Sequence, residues 1–248
     1  MHKQVQALVL REIDYKESSK LLTVLTREGG RLTVLARAAR GKHSPLLAAT
    51  QLLSYASMTL FYHKGRYTLD EAELLDGFPA VRRDILALSM GLYLGDLAAE
   101  ITGEVADENV FRLLLQALTA LARAQKPQIL IKAATEWRLM ALAGFAPMAG
   151  YCEKCGATPP VEPVLAPGQG LVLCSQCRGT DSVCPLGSDA LLALRYVLRC
   201  PLEKLYAFAL PETDLHLLSR AGTLYVQTQT DKTFGTLSYY NRLTQGEL

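Results

Sequence analysis

The first 76 residues alternate apolar and polar positions in short runs, as β-strands with one buried face do. Val5, Ala7 and Val9 alternate with Gln4 and Gln6. Further runs rich in β-branched and aromatic residues span 21–26, 32–36, 52–62 and 67–75. Glycine-containing turns at 27–30 and 63–66 join these runs in pairs, as in hairpins. Five strands with one long loop at 37–45 predict a Greek-key barrel of the OB type, and an SH3-like barrel is the alternative.

From residue 79 onward the apolar positions follow the 3.6-residue period of helices. The predicted helices cover 79–101, 108–124, 127–143, 188–198, 212–219 and 222–243. Pro79 suits a first helical turn, Gly144 a C-terminal cap and Ser188 an N-cap. The first of these helices carries apolar residues on two faces, which predicts a buried helix.

A Cys-, Gly- and Pro-rich stretch interrupts the helices at 150–185. Two CxxC pairs, formed by Cys152, Cys155, Cys174 and Cys177, lie eighteen residues apart. This spacing is typical of a zinc ribbon, in which two tight turns complete a tetrahedral shell of four sulfurs. One structural Zn²⁺ per chain is therefore expected, with free thiols, a redox CxxC or disulfides as the alternatives. Cys184 and Cys200 remain as small core residues or free thiols.

The predicted fold class is therefore α+β and multidomain. An N-terminal OB-fold β-barrel is followed by an all-α helical domain with an inserted four-cysteine zinc finger. The predicted boundaries are 1–78 for the barrel, 79–149 with 186–248 for the helical domain, and 150–185 for the zinc insertion.

Composition excludes disorder, since half of the 248 residues are apolar and the net charge is only +2. No apolar run reaches the length of a membrane span, and no signal-like segment opens the chain, so a cytoplasmic protein without a membrane partner is expected. The small total charge hides a strong asymmetry. Residues 1–67 contain eleven Lys or Arg and four Asp or Glu, a net charge of +7, and the remainder carries −5. A basic barrel indicates a nucleic-acid partner.

OB folds bind single strands with a basic groove and aromatic stacking surfaces. The candidate DNA-binding residues are Lys20, Arg31, Arg37, Arg40, Lys42, Lys64 and Arg66, of which the loop at 37–43 is the strongest candidate. The candidate stacking residues are Tyr15, Tyr55, Tyr62 and Tyr67, although a strand tyrosine more often packs in a core or rim. No residue pattern indicates base-edge recognition, so we expect sequence-tolerant and salt-dependent binding.

The chain lacks the common catalytic and nucleotide-binding motifs, so a catalytic activity is not expected. Two other classes stay open at this point. One is an RNA- or ribosome-associated OB and zinc-ribbon protein, and the other is a protein-interaction scaffold whose basic face has no ligand.

Several segments resemble the RecO family of bacterial recombination mediators over nearly the whole chain. In the barrel they are 5–10 (VQALVL), 17–22 (ESSKLL), the turn at 30–31 and the loop 36–40 (ARAAR). Further along they are 144–147 (GFAP) and the two CxxC pairs. The order of barrel, helices and CxxC pairs makes the resemblance specific. The chain departs from the family at Ala38 and Ala39, where a glycine is expected nearby.

The resemblance implies a DNA repair protein of the RecF pathway. Such a protein binds single- and double-stranded DNA and anneals complementary strands. It contacts the C-terminal tail of the single-stranded DNA-binding protein (SSB), works with RecR and helps to load RecA onto SSB-coated DNA. It needs no nucleotide hydrolysis.

Overall fold

The computed structural model describes residues 2–103, 105, 107–179 and 182–246. Their contacts group the chain into two compact units, Met1–Arg123 with Phe234–Leu248, and Ala124–Thr233. This grouping by compactness is coarser than the three-part division proposed from the sequence, which stays a prediction.

Five strands form a closed barrel in the first unit. They are β1 (His2–Tyr15), β2 (Ser19–Thr26), β3 (Gly30–Ala36), β4 (Tyr55–His63) and β5 (Arg66–Asp76). The order is β1-β2-β3-β5-β4, and β4 closes the barrel onto β1. All pairs are antiparallel except β3 with β5. The OB-type barrel predicted from the strand count is confirmed.

The barrel interior is filled by one alternating set of apolar side chains, which includes Val9, Leu22, Val24, Val34 and Met58. On β1 the opposite face is buried as well, because α2 packs against that strand. Leu8 and Leu10 lie on this opposite face and are almost fully buried.

Two loops of the barrel use left-handed backbone. Lys64 and Gly65 have φ values of 47° and 77°, which makes the β4–β5 connection a tight two-residue turn. Ala38 has φ of 52°, so the position near which the family resemblance led us to expect glycine does need this conformation. The predicted strand over 52–62 starts later, at Tyr55. Leu53 has φ of 60° and donates its N–H to the Val9 carbonyl at 2.8 Å, so it belongs to a turn.

The described residues of the first unit also form four helices: α1 (Pro79–Arg83), α2 (Ile85–Ile101), α3 (Glu108–Arg123) and α7 (Gly235–Gln245). The single helix predicted over 79–101 is wrong, because Asp84 is extended and separates α1 from α2. Its carboxylate accepts the N–H groups of Leu86 and Ala87 and so caps α2. As predicted, α2 is buried around most of its circumference.

The second unit contains α4 (Gln128–Leu142), α5 (Ser188–Arg199) and α6 (Glu212–Thr230). A small sheet of order β7-β6-β8 lies between α4 and α5 in the chain. Its strands are β6 (Val164–Ala166), β7 (Leu171–Leu173) and β8 (Cys184–Pro185). α4 packs against both α5 and α6. Among the residues that the structure describes, no helix has an apolar stretch that could cross a membrane.

The two helices predicted over 212–219 and 222–243 are wrong in their bounds. The predicted break between 219 and 222 does not exist, because α6 continues through Gly222 to Thr230. The helix ends instead at Asp231, which is left-handed with φ of 51°, and α7 begins separately at Gly235. The N-cap position of α5 belongs to Gly187, and Ser188 is already helical.

Candidate nucleic-acid interface and metal centre

The outward face of β1, β2 and β3 carries two rows of side chains in register. Arg11 pairs with Thr23, and Thr23 pairs with Thr33, which gives a polar row across three strands. Two residues further along β1, a row of aliphatic side chains joins Ile13, Leu21 and Leu35. The neighbouring residues of β2 and β3 point into the barrel core, so both rows lie on the outer face of the sheet.

A groove of about 470 Å³ opens over the polar row. Among the residues that the structure describes, its lining is rich in hydroxyl, guanidinium and aromatic groups and contains no carboxylate. The lining residues are Arg11, Thr23, Gly29, Arg31, Leu32, Thr33, Tyr62, Gly65 and Tyr67. This is the face of β2 and β3, beside the β4–β5 loop, with which OB folds bind oligonucleotides. The arrangement suits an anionic ligand that carries flat rings.

The β4–β5 hairpin forms one wall of this groove. Tyr62 and Tyr67 are paired in register, and their ring centroids lie 4.9 Å apart at an interplanar angle of 46°. Tyr67 packs on the barrel core, whereas 47% of Tyr62 is exposed. Tyr67 thereby anchors the pair to the barrel, and the ring of Tyr62 is accessible to solvent.

Four of the predicted DNA-binding residues present free charges. Arg37, Lys42, Lys64 and Arg66 are exposed and make no side-chain hydrogen bond or ion pair with any residue that the structure describes. Arg37 and Lys42 lie in the loop after β3, and Lys64 and Arg66 lie in the hairpin that walls the groove.

Arg40 is exposed, but its guanidinium has partners within the barrel. It pairs with the Asp14 carboxylate at 3.0 Å and donates to the carbonyls of Lys16 and Glu17. Its backbone N–H donates to the Ser18 carbonyl at 3.0 Å. These contacts hold the loop at 37–43 beside the β1–β2 connection.

Lys20 and Arg31 are engaged in the fold itself. Lys20 is only 8% exposed, and its Nζ lies 2.5 Å from the Glu12 carboxylate. Arg31 lines the groove, but its guanidinium donates to the Ala99 carbonyl in the last turn of α2. The contacts of Lys20 favour a structural role over a phosphate contact.

The remaining tyrosine candidates lie away from the groove lining. Tyr55 donates its hydroxyl to Gln6 at 3.0 Å and packs edge-on against Phe111. Tyr15 is exposed at the end of β1, with the Lys16 ammonium 5.5 Å from its ring centre.

Sequence reasoning did not identify Arg11, Thr23, Thr33 or the aliphatic row as part of this face. Their only signal in the sequence is alternation along each strand. Which residues stand side by side depends on the register between strands, and the bulge between Val9 and Arg11 shifts that register on β1.

The four cysteines of the CxxC pairs converge at one point, as their spacing predicted. Their sulfur atoms all lie within 4.8 Å of one another. The Sγ atoms of Cys155 and Cys174 lie 3.8 Å apart, about the edge length of a tetrahedron with metal–sulfur bonds of about 2.3 Å. All four thiols are free, and the cluster could hold a metal ion.

Backbone hydrogen bonds close both cysteine turns. Gly156, with φ of 73°, donates to the Cys152 carbonyl at 2.8 Å, and the Cys177 N–H donates to the Cys174 carbonyl at 2.9 Å. The cluster rests on a small apolar core that includes Val164 and Leu173. The strands of the small sheet therefore position the second pair against the first.

Backbone N–H groups also point at the sulfurs. The N–H of Cys174 donates to the Cys152 sulfur at 3.3 Å, and the N–H of Val161 donates to the Cys174 sulfur at 3.3 Å. Burial raises the pKa of Cys152, but backbone N–H donors outweigh it and lower that pKa to about 6. Hydrogen bonding with the Cys155 thiol raises the pKa of Cys177 to about 12. Four cysteine sulfurs within 4.8 Å of one another form a donor set that is suited to a soft cation.

Cys184 and Cys200 are buried free thiols outside this cluster, in agreement with their predicted role as small core residues.

Comparison with known proteins covers nearly the whole chain. The family described as Recombination protein O N terminal matches residues 1–78, and Recombination protein O C terminal matches residues 82–238. The chain is 34% identical over 204 residues to the DNA repair protein RecO of Desulforudis audaxviator, covering 82% of this chain and 81% of that protein. It is 30% identical to the RecO protein of Syntrophotalea carbinolica, with 97% and 94% of the two chains covered. The RecO protein of Acetivibrio thermocellus is 26% identical over 97% of this chain and 96% of its own. With a closed barrel, helices and a four-cysteine cluster in the expected order, this chain belongs to the RecO family of DNA repair proteins.

Proposed function

We propose that this protein is a non-enzymatic mediator of homologous recombination in the RecF pathway. In this proposal it binds single- and double-stranded DNA without sequence specificity, anneals complementary strands and helps to load RecA onto SSB-coated DNA. Its other partners are the C-terminal tail of SSB and RecR, and it works in the bacterial cytoplasm. Membership in the RecO family supports each of these roles.

One observation carries the DNA-binding part of this proposal. Arg37, Lys42, Lys64 and Arg66 present four exposed charges without partners among the described residues, on a barrel with a carboxylate-free groove. Exposed Lys and Arg side chains bind phosphates by releasing condensed counterions, which needs no particular base sequence.

Binding of single-stranded DNA across a salt series tests this part. We expect the combined change Arg37→Ala, Arg40→Ala and Lys42→Ala to weaken binding by roughly tenfold or more at low salt. Because Arg37 and Lys42 each lose a phosphate contact, whereas Arg40 is already paired with Asp14, the slope of log K against log salt should fall by about 1.4. Fluorescence anisotropy of a labelled oligonucleotide measures both quantities.

The matched control removes three exposed charges from the helical part of the chain, Arg123→Ala, Arg199→Ala and Lys204→Ala. It should leave the affinity and the salt slope close to those of the unchanged protein. Equal losses in the two triple variants would contradict the proposed interface. Stronger binding to RNA than to DNA of the same sequence would favour an RNA-associated role instead.

Strand annealing tests the mediator role. Complementary strands should anneal faster with the protein than without it, and no nucleotide should be required. A peptide with the sequence of the SSB tail should bind the protein and leave DNA binding intact. Absence of any effect on the annealing rate would overturn the mediator role while leaving the DNA-binding role in place.

We further propose that the four-cysteine cluster holds one structural Zn²⁺. The sulfur spacing fits tetrahedral zinc, and four thiolate ligands would leave no open position for catalysis. Cys152, Cys155, Cys174 and Cys177 would hold the ion, and bound zinc would stabilise the folded loop. Elemental analysis should find about one zinc per chain.

A further inference from the structure

We propose that two copies of this chain pair through their barrels, with the basic loop at 37–43 of each copy lying on an unpaired edge of β5 in the other. The acidic edge comprises residues 70–76 of β5. DNA competes with this contact, because the same loop binds phosphates in the proposed function. The pairing does not depend on that function, whereas the competition rests on it.

The edge is open because β5 is longer than its pairing with β3. The pairing of β3 with β5 ends at Ala36 and Leu69, whereas the pairing of β4 with β5 continues to Tyr55 and Asp76. Over residues 70–76, no strand that the structure describes pairs with the other side of β5. Such an edge presents unpaired backbone groups over about 20 Å, and protein segments dock onto edges of this kind.

The charge of the acidic edge selects a cationic partner. Its sequence, DEAELLD, contains four carboxylates and no Lys or Arg. The first and the last carboxylate have partners within the barrel. Glu71 and Glu73 are exposed and make no side-chain hydrogen bond or ion pair with any described residue. Two such edges repel each other, so a second copy cannot pair edge to edge and must bring cations instead.

The same edge also presents apolar surface. Leu74 and Leu75 are 41% and 44% exposed, and a groove of about 420 Å³ opens beside them. The alkyl stems of Lys and Arg cover apolar surface while their charged ends meet carboxylates. Exposed leucines next to free carboxylates therefore fit the side chains of a basic segment.

The basic loop supplies the complementary charge. Arg37 and Lys42 are exposed and have no side-chain partner among the residues that the structure describes. Within its own molecule the loop is tied to the β1–β2 connection, because Ala38 is left-handed and the N–H of Arg40 donates to the Ser18 carbonyl. Its free charges therefore match the acidic edge of a second copy.

The positions of the loop and the edge suit a pair with two-fold symmetry. Ala36 pairs with Leu69, and the loop and the acidic edge each begin at the next residue. They therefore start side by side on one barrel. In a two-fold pair the loop of each copy meets the edge of the other, so the contact is made twice.

Single-stranded DNA and the acidic edge are alternative ligands of the loop. Both present a row of anions, and the cations of one loop can neutralise only one row at a time. Neutralised DNA phosphates also release condensed counterions, which adds a gain specific to the nucleic acid. DNA should therefore displace the second copy and separate the pair.

Sedimentation velocity of the full chain tests the pairing. At about 50 mM salt we expect a monomer–dimer equilibrium, and at about 500 mM salt, where charges are screened within a few ångströms, we expect monomers. Glu71→Gln with Glu73→Gln should weaken dimerisation by about tenfold, because each contact loses two exposed ion pairs. The affinity of this variant for a single-stranded oligonucleotide should stay within about twofold of the unchanged protein. The oligonucleotide should convert the unchanged dimer into single chains bound to DNA.

An exchange of charge identifies the contact itself. Glu71→Lys with Glu73→Lys gives a copy whose loop and edge are both basic. Arg37→Glu with Lys42→Glu gives a copy whose loop and edge are both acidic. Each variant alone should stay monomeric, and an equal mixture should dimerise, because both contacts then join opposite charges. A mixture that stays monomeric, although thermal melting finds both variants folded, would overturn the pairing.

The control is Glu28→Gln with Asp231→Asn, which removes two exposed carboxylates outside the acidic edge. It should dimerise like the unchanged protein, and an equal loss in this variant and in Glu71→Gln with Glu73→Gln would contradict the pairing. If the unchanged protein is monomeric at low salt but binds the oligonucleotide, the pairing is wrong and the proposed function stands. If it pairs but binds no oligonucleotide, the proposed function is wrong and the pairing stands.

Discussion

At the scale of single residues, the environment of each charge decides what that charge can do. Lys20 and Lys64 both lie in the basic N-terminal segment, and sequence analysis predicted a DNA contact for each of them. In the structure Lys20 is buried against Glu12, whereas Lys64 is exposed in a left-handed turn position. Only the second is available to a phosphate without breaking an existing ion pair.

Exchanging each lysine for methionine separates the two roles. Lys20→Met should lower the free energy of unfolding by roughly 1–3 kcal/mol, because the partly buried Glu12 carboxylate loses its partner. DNA affinity per folded molecule should change little. Urea denaturation and oligonucleotide binding measure the two effects.

Lys64→Met is the matched control and should give the reverse pattern. The exposed charge contributes little to stability, but its loss should weaken DNA binding. A large loss of DNA affinity in folded Lys20→Met protein would show that Lys20 does contact DNA.

At the scale of elements, close packing of α4 against α6 explains why α6 continues through a glycine. A Cβ on Gly222 would lie 3.0 Å from Glu136 Oε2 and 3.1 Å from Trp137 Nε1. Trp137 is fully buried and donates its indole N–H to the Leu218 carbonyl at 3.2 Å. The Glu136 carboxylate is held by Lys132 at 2.9 Å. Neither neighbour can move without losing its own bond, so the glycine is required by packing and does not end the helix.

The change Gly222→Ala should therefore destabilise the protein despite the higher helix propensity of alanine. We expect a loss of roughly 1–2 kcal/mol in the free energy of unfolding, since overpacking outweighs the propensity gain. Gly235→Ala at the start of α7 is the control, because a Cβ there meets nothing within 4 Å. That variant should be neutral or slightly stabilised. A stabilised Gly222→Ala protein would show that α4 and α6 can separate at little cost.

At the scale of the whole molecule, the two candidate sites belong to different compact units. The groove and its cations lie within residues 1–123, and the cysteine cluster lies within 124–233. Their chemistry also differs. The barrel groove presents cationic and aromatic side chains to a nucleic acid, whereas the cysteine cluster presents sulfur ligands to a metal ion. We therefore expect a substitution in one site to leave the other site intact.

Loss of the metal tests this separation. Cys174→Ser should reduce zinc occupancy and lower the melting temperature, because a structural zinc site contributes its binding free energy to folding. The affinity for single-stranded DNA should stay within about twofold of the unchanged protein, since the proposed phosphate contacts all lie in the barrel. Calorimetry and anisotropy on the same preparation measure both. Cys200→Ser, at a buried thiol outside the cluster, is the control and should keep its zinc. A parallel loss of zinc and DNA affinity would instead make the metal site part of the DNA interface.

The five strands of the barrel, the helical region, the basic charge of the barrel and the convergence of the four cysteines could all be predicted from the sequence. These features follow from local periodicity, from charge counts and from a spacing of two residues within each turn, all of which can be read along one chain. Which side chains lie next to one another across strands could be seen only in the folded protein. Arg11, Thr23 and Thr33 share one row, Lys20 is withdrawn into an ion pair, and Gly222 lies inside a helix. Register, burial and close packing are relations between segments distant in sequence, so no local pattern of residues contains them.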